Sequence, residues 1–428
     1  MMAGLYYWKV IGHHLRNLAL PGGVAFFLLL VELLVKQCFR RRSVPEPNLA
    51  AEPVPPPATV VFPPNEQIAR AGAYRIPSLL ALPPAASPVL LSFAEERTIG
   101  GVEDGGPVRV VVRRSGDRGQ TWSPVALVAD GDSVGIPGGT VGNPCAIYDA
   151  VRGRVVLLLS ASEAYESEAT IWCGHAAARR VFVTTSCDGA AWSAGPTSPS
   201  GWTWYATGPG VGVQLPGGRL VFPCNHVSPT RGWLRTRYEL RSHVVISDDG
   251  GDSFRLGGEG PAECNEAQVA LVGGRLLLSM RDWSGRGRRR VAVSEDEGES
   301  WRDLGHAGGL VQKTCGSNGA GDLPDPGFAG CQASLLAVPG GALYCGPLGA
   351  PSGLTRHTLL LRASRDGLSW GGAAEPSAGL WARVLHRGPV AYSCVARVGE
   401  GLVAVLYEAG ETRPDEQIRC CLVAHPAP

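Results

Sequence analysis

Several short segments place residues able to bind anions, move protons or attack carbon beside apolar neighbours. Four carry arginine: Tyr74-Arg75-Ile76-Pro77, Phe93-Ala94-Glu95-Glu96-Arg97, Leu278-Ser279-Met280-Arg281-Asp282 and Gly353-Leu354-Thr355-Arg356-His357. A guanidinium is a planar fork that binds a carboxylate bidentately and never loses its charge. An isolated arginine is ordinarily a solvated surface charge, so only a shared task would set these four apart. Carboxylates stand at Glu266 in Cys264-Asn265-Glu266-Ala267, at Glu408 in Leu406-Tyr407-Glu408-Ala409, and at Glu103-Asp104 in a Gly-rich stretch after Arg97. Tyr392 lies in Gly388-Pro389-Val390-Ala391-Tyr392-Ser393. A lone tyrosine is most often packed in a core, and its phenol becomes a nucleophile only when a base takes its proton. Metal chemistry has little support: the 12 cysteines are scattered, with no CxxC pair and no histidine at zinc-finger spacing. They suit small buried hydrophobes.

The elements that must position these residues are short strands. With 58 Gly and 34 Pro among 428 residues, and 44% hydrophobic against 18% charged, the composition favours many strands joined by tight turns. Runs such as Val108-Arg109-Val110-Val111-Val112 and Arg275-Leu276-Leu277-Leu278-Ser279 alternate with turn pairs such as Gly273-Gly274 and Pro339-Gly340-Gly341. A net charge of +1 argues against a nucleic-acid surface. Only Lys9, Lys36 and Lys313 are lysine, a skew that carries no functional weight by itself.

One motif repeats. Ser115-Gly116-Asp117-Arg118-Gly119-Gln120-Thr121-Trp122 returns with Ser247, Asp249, Gly251, Ser253 and Phe254 at the same places, and again with Ser294, Asp296, Gly298, Ser300 and Trp301. Shortened copies keep Ser186, Asp188, Gly189 and Trp192, and Ser364, Asp366, Gly367 and Trp370. Each reads as a hairpin: Asp accepts backbone N–H groups, Gly supplies positive φ, and the aromatic ring pins the turn from below. Recurrence roughly every 50 to 70 residues suggests one hairpin per four-stranded blade, hence a propeller.

These repeats resemble the Asp boxes of the sialidase superfamily, and the resemblance covers about residues 65–425. It implies an all-β, six-bladed β-propeller whose Asp boxes face away from the active site. Tyr74-Arg75-Ile76-Pro77 resembles the motif that opens sialidase catalytic domains, so Arg75, Arg281 and Arg356 match the three arginines that clamp the sialic acid carboxylate. Arg97, in a segment resembling FAExR, adds a contact to that carboxylate or to the acid/base loop. Glu408 matches the glutamate that holds the first clamp arginine. Asp104 matches the acid/base, with adjacent Glu103 a substitute, and Glu266 matches the glutamate that activates the nucleophile, Tyr392. Trp204-Tyr205 and residues 161–171, with Glu163, are expected to wall the pocket. A carboxylate nucleophile would be repelled by the substrate's own carboxylate, whereas a neutral tyrosine is not; sialidases are a known exception to the two-carboxylate glycosidase scheme. The implied activity is retaining hydrolysis of terminal α-linked sialic acid from gangliosides, glycoproteins and oligosaccharides, with no metal or organic cofactor. Two alternatives use the same framework: a non-catalytic sialic-acid-binding propeller and a trans-sialidase.

Ahead of this domain, residues 1–42 hold an apolar run at 18–35 that is nearly long enough to span a bilayer, interrupted by Pro21, Gly22-Gly23 and Glu32. No small-residue cleavage site follows, so a single-pass membrane anchor is expected. Lys36 and Arg40-Arg41-Arg42 outweigh Lys9 and Arg16, which favours a cytoplasmic domain, and there is no N-x-[ST] sequon. Sialylated substrates ordinarily face the other way, and sidedness stays open, as does oligomeric state. Residues 43–64, rich in proline, read as a stiff linker to the domain at 65–428.

Overall fold

The computed structural model describes residues 54–63, 74–83, 88–97, 106–186, 193–197, 202–229, 238–284, 288–311, 330–348, 356–370 and 381–426, and every structural statement below concerns these. The chain divides into two compact units, Met1–Ala51 and Glu52–Pro428, and the described residues all belong to the second. The expected anchor at 18–35 lies outside them, and among them no helix is long and apolar enough to cross a membrane.

The fold is all-β, with a short helix Glu168–Trp172 capped by Ser167. Strands follow one another as antiparallel neighbours. Tyr74–Leu82, Val89–Arg97 and Val108–Ser115 meander in order, as do Thr140–Asp149, Arg154–Ser162 and Arg180–Ser186. Cys264–Val272, Arg275–Asp282, Arg288–Ser294 and Arg302–Val311 form a four-stranded sheet of their own. The 18-residue strand Ala382–Gly399 serves twice: its first half pairs with His357–Ser364 and its second with Leu402–Ala409.

The continuous apolar run Val155 to Leu159 explains how the sheets stack. A strand with one wet face alternates apolar and polar residues, whereas this one is apolar throughout and so is covered on both sides. Val155, Leu157 and Leu159 pack with Leu91, Phe93 and Val110 of the preceding strands, while Val156 and Leu158 pack with Phe222 and Val245 of the following ones. The same alternation joins Val244 and Ile246 to Leu276 and Leu278, and Leu277 and Val291 to Tyr344. Cys394 and Leu406, near the C-terminus, pack with Leu79 and Leu90, near the start of the domain. Sheet therefore stacks on sheet until the last meets the first, as in a β-propeller.

One sequence expectation needs correction. Residues 43–64 do not act as linker to their end: Ala58–Phe62 forms a strand that pairs antiparallel with Gln417–Ala424 on the edge of the last sheet. Val61 and Phe62 are fully buried, and Arg113 donates to the carbonyl of Val61. The prolines flanking this run mask five residues with ordinary strand character, and the domain therefore begins before residue 65.

The boxes behave as turns should. Asp117 Oδ1 accepts from the amides of Gln120 and Thr121 at 3.0 and 2.9 Å, and Trp122 Nε1 donates to the Gly119 carbonyl at 3.1 Å. Asp249, Asp296 and Asp366 accept amides in the same way, and the ring bond recurs in the last of these boxes, where Trp370 Nε1 donates to the Gly367 carbonyl at 3.1 Å. Residues 187–192 of the remaining shortened copy lie outside the described residues.

Candidate active site

Antiparallel meanders decide where the chemistry collects. Arg75, Glu266 and Tyr392 lie near the starts of first strands in their meanders, or, for Tyr392, just past the midpoint of the doubly used strand. Arg97, Arg281 and Glu408 lie at the ends of second strands, and Arg356 just before a third strand begins. The start of a first strand, the end of a second and the start of a third all fall at one end of an antiparallel sheet. Ser115, Ser247, Ser294 and Ser364, which open the boxes, close third strands at the opposite end.

Irregularities then aim the side chains. Register shifts interrupt pairing between Arg75 and Ser78, between Cys264 and Ala267, and between Val390 and Ser393, so Arg75, Glu266 and Tyr392 each sit at a bulge. A bulge adds a residue, bends the strand and re-aims what it carries. Ile76 takes φ +56°, a strained value for a β-branched residue. Pro77 alone announced such a break in sequence.

Glu266 is the centre of the cluster. Its Oε1 accepts the hydroxyl of Tyr392 in a short hydrogen bond, and its Oε2 accepts Nη1 of Arg281 at 2.9 Å. All three are buried, with Tyr392 exposed by 7%. Burial first, then the Glu266 charge, pushes the phenol well above its ordinary 10, against the pull of Arg281 and Arg356. The phenol is thus neutral over the ordinary pH range, with a carboxylate in place to take its proton. Burial opposes the Arg281 charge, but the Glu266 carboxylate outweighs it and holds the guanidinium protonated.

Three cations close on this pair. Arg75 donates from Nε and Nη2 to the two oxygens of Glu408 at 3.3 and 3.2 Å, and the Ile76 amide adds a third bond to Glu408 at 2.8 Å. Glu408 is fully buried, so each charge needs the other. The guanidinium carbons of Arg75 and Arg356 lie 5.5 and 5.7 Å from the centroid of the Tyr392 ring. Arg356 differs from the other two. Among the described residues no carboxylate pairs with it, and its buried Nε meets no acceptor. Two arginines locked by internal carboxylates and one left uncommitted make a site suited to an external anion.

Arg97 is buried and donates to Glu95 Oε2 at 2.8 Å, while Glu95 Oε1 accepts the Asn143 amide at 2.8 Å. Asp104 and Glu103 lie outside the described residues. Strand ends show only that the connection from Arg97 to Val108 leaves and returns at the active-site end. The residues expected to wall the pocket fall in different surroundings. Trp204 lies under Arg179, 4.7 Å from guanidinium carbon to ring centroid, but Tyr205 is buried in a core seam with Phe222 and Cys224. Adjacent residues of a strand point to opposite faces, so the two could not share one wall. Glu163 is exposed.

Sequence reasoning passed over Asn143, Arg179 and Arg289. Asn143 has φ +54° at a further bulge, and its Oδ1 accepts Arg179 Nη2 at 2.9 Å. The available signal was Gly142-Asn143-Pro144 opening a strand: a Cβ on Gly142 would fall 2.2 Å from Glu95 Oε1. Among the described residues no group of three or more His, Cys, Asp or Glu side chains is placed to hold a metal, and the described cysteines are free.

With this geometry in view, comparisons with known proteins are direct. A family model described as a BNR repeat-like domain matches residues 89–405. Sialidase-3 of Rattus norvegicus is 29% identical over 391 residues, covering 82% of this chain and 90% of that protein. Sialidase-4 of Homo sapiens is 32% identical over 292 residues, covering 63% of this chain and 57% of that one. Among solved structures, the Hadza microbial sialidase Hz136 shares the fold with a TM-score of 0.69 at 22% identity, covering 86% of this chain and 68% of that chain. The BNR model spans most of the propeller, and Sialidase-3 matches 82% of the chain: the chain belongs to the BNR-repeat proteins and, within them, to the exo-α-sialidase family.

Proposed function

We propose that this chain hydrolyses terminal α-linked sialic acid with retention of anomeric configuration, through a covalent intermediate on Tyr392. The observation that carries the reading is the Tyr392–Glu266–Arg281 cluster, with uncommitted Arg356 across the Tyr392 ring. Arg356 meets the substrate carboxylate directly, and Arg75 and Arg281 complete the clamp while still tied to Glu408 and Glu266. Tyr392 Oη attacks the anomeric carbon as its proton passes to Glu266. The glycosidic C–O bond breaks, and the leaving oxygen takes the proton of Asp104. Water then attacks the same carbon, gives a proton to the Asp104 carboxylate, and the C–O bond to Tyr392 breaks as the tyrosine oxygen recovers its proton from Glu266. Two displacements at one carbon restore the original configuration.

Six four-stranded blades account for the stacking, the last completed by Ala58–Phe62, with residues 18–35 anchoring the domain to a membrane. Glycolipids sharing that membrane, along with glycoproteins and oligosaccharides, are then the substrates. The test is turnover of a fluorogenic α-sialoside by the full chain and by Tyr392→Phe, with the first-formed anomer read by NMR. A loss of roughly 10²–10⁴-fold in the variant, and α-sialic acid as first product of the wild type, are expected. A well-folded wild type without turnover that still binds sialic acid would move the assignment to a binding propeller, and transfer to added lactose in place of water would move it to a trans-sialidase.

A further inference from the structure

Arg289 stands inside Arg288-Arg289-Arg290, a run that reads as surface charge. Strand alternation separates the three. Arg288 is exposed and Arg290 pairs with Asp303, while Arg289 points inward and is fully buried. Its Nε donates to Ser279 Oγ at 3.2 Å, Nη2 to the Ser279 carbonyl at 2.8 Å, and Nη1 to the Cys331 carbonyl at 2.9 Å. All three acceptors are neutral, and among the described residues no carboxylate pairs with it. A buried cation without a carboxylate is destabilising, and an apolar residue would pack the same space without that penalty. Burial accordingly lowers the Arg289 pKa, Tyr344, Glu266 and Cys331 oppose that, and Arg281 adds to it.

What Arg289 connects explains its presence. Ser279 precedes Arg281 by two residues on one strand. The Cys331 side chain packs with Ile76, Ala391 and Tyr392. Gln332, the next residue, brackets Ser393: its Oε1 accepts the Ser393 amide and its Nε2 donates to the Ser393 carbonyl, both at 3.0 Å. The guanidinium is therefore a strut between the strand that carries Arg281 and the segment that braces Tyr392, the two partners that meet at Glu266.

We propose that Arg289 is a positioning residue of this active site: it fixes Arg281 relative to Tyr392, and its charge joins that of Arg281 around the Glu266 carboxylate. The inference rests on the assignment of Tyr392 and Glu266 as nucleophile and base. Full-length wild type, Tyr392→Phe, Arg289→Met and Arg289→Lys are compared on a soluble fluorogenic α-sialoside across pH, with thermal melts as the check on folding. A folded Arg289→Met is expected to lose about 10–100-fold in kcat, the range seen when a supporting partner of an active group is removed, with KM little changed. Its acid limb of kcat/KM moves upward by about half a unit or more, because a positive charge near the carboxylate that must accept the phenolic proton is gone. Arg289→Lys keeps the wild-type limb and an intermediate kcat. A folded Arg289→Met with wild-type kcat and limb overturns the proposal, as does Arg289→Lys with the shifted limb of the Met variant. If Arg289→Met does not fold, Arg289→Lys decides: lowered kcat on an unmoved limb supports the strut, and unchanged kcat removes it. Wild-type turnover by Tyr392→Phe would instead sink the nucleophile assignment, and that result is read from a different variant.

Discussion

At the scale of single residues, the candidate clamp arginines are alike in type and unlike in circumstance, which separates their mutants. Arg356 has no internal carboxylate among the described residues, so its removal strands no buried charge. Arg356→Met should melt like the wild type while raising KM roughly 10²-fold, in line with the 2–5 kcal/mol measured for losing one partner of a buried charge pair. Glu408 is the opposite case, fully buried with three donors on it. Glu408→Gln should destabilise the fold by about 3–5 kcal/mol, since Arg75 keeps its charge and loses its counter-ion. Melting curves beside Michaelis constants distinguish the two, and a Glu408→Gln protein of wild-type stability would show that Arg75 is held by other means. Arg75, Arg281, Arg356, Glu266, Tyr392 and Glu408, which the structure brings together, could be singled out in sequence because each stands in a short distinctive segment. Arg289 was illegible for a physical reason: three consecutive arginines look alike in sequence, and only the pleat decides which one turns inward.

At the scale of elements, the box turns and the bulges do different work at opposite ends of the sheets. The box glycines press on the neighbouring sheet: a Cβ on Gly119 would approach Cys420 Sγ to 3.1 Å, one on Gly251 would approach Val156 Cγ1 to 2.9 Å, and one on Gly367 would approach Leu277 Cδ1 to 2.4 Å. Each box is thus a staple from one sheet to the one before it. Gly251, at φ +98°, combines that contact with a backbone that side chains avoid. Gly251→Ala should cost about 2–4 kcal/mol from strain and crowding together, with kcat of the folded protein unchanged. The box aspartates also give the fold an acid limit. Bonds from the Thr121 side chain and amide hold Asp117 at about 2, and the Ser300 hydroxyl does most to hold Asp296 at about 2. A depressed carboxyl stabilises the fold fully above its unfolded value of about 4, and the contribution is lost as pH falls through about 2. Denaturant midpoints should therefore fall between pH 4 and 2, less steeply in an Asp117→Asn, Asp296→Asn double variant; parallel pH profiles would show that other carboxyls set the limit. The boxes were legible because their Asp, Gly and aromatic residues have one local task each. The bulge at Glu266 was not, since no proline or glycine marks it and only the pairing partner reveals the extra residue.

At the scale of the whole molecule, the circular stack must close, and the closing piece comes from a segment that composition assigns to the linker. Ala58–Phe62 covers the edge offered by Gln417–Ala424, and its partners run from Ala58 with Cys421 to Phe62 with Ile418. Arg113 reinforces the seam from the first sheet, donating to the carbonyls of Val61, Trp122 and Ser123. An unpaired edge is a template for aggregation, and Val61 and Phe62 would leave a gap in the seam that joins the last sheet to the first. Two truncations separate the roles of the N-terminal region. A protein starting at residue 54 retains the strand and should keep wild-type melting and turnover of a soluble α-sialoside, while no longer sedimenting with carbonate-washed membranes, as the full chain is expected to do. A protein starting at residue 65 lacks the strand and should melt lower and aggregate, although every candidate site residue is still present. Equal stability of the two would mean that the last sheet closes on the first without Ala58–Phe62, and a full chain washed off by carbonate would end the anchor proposal without touching the active site.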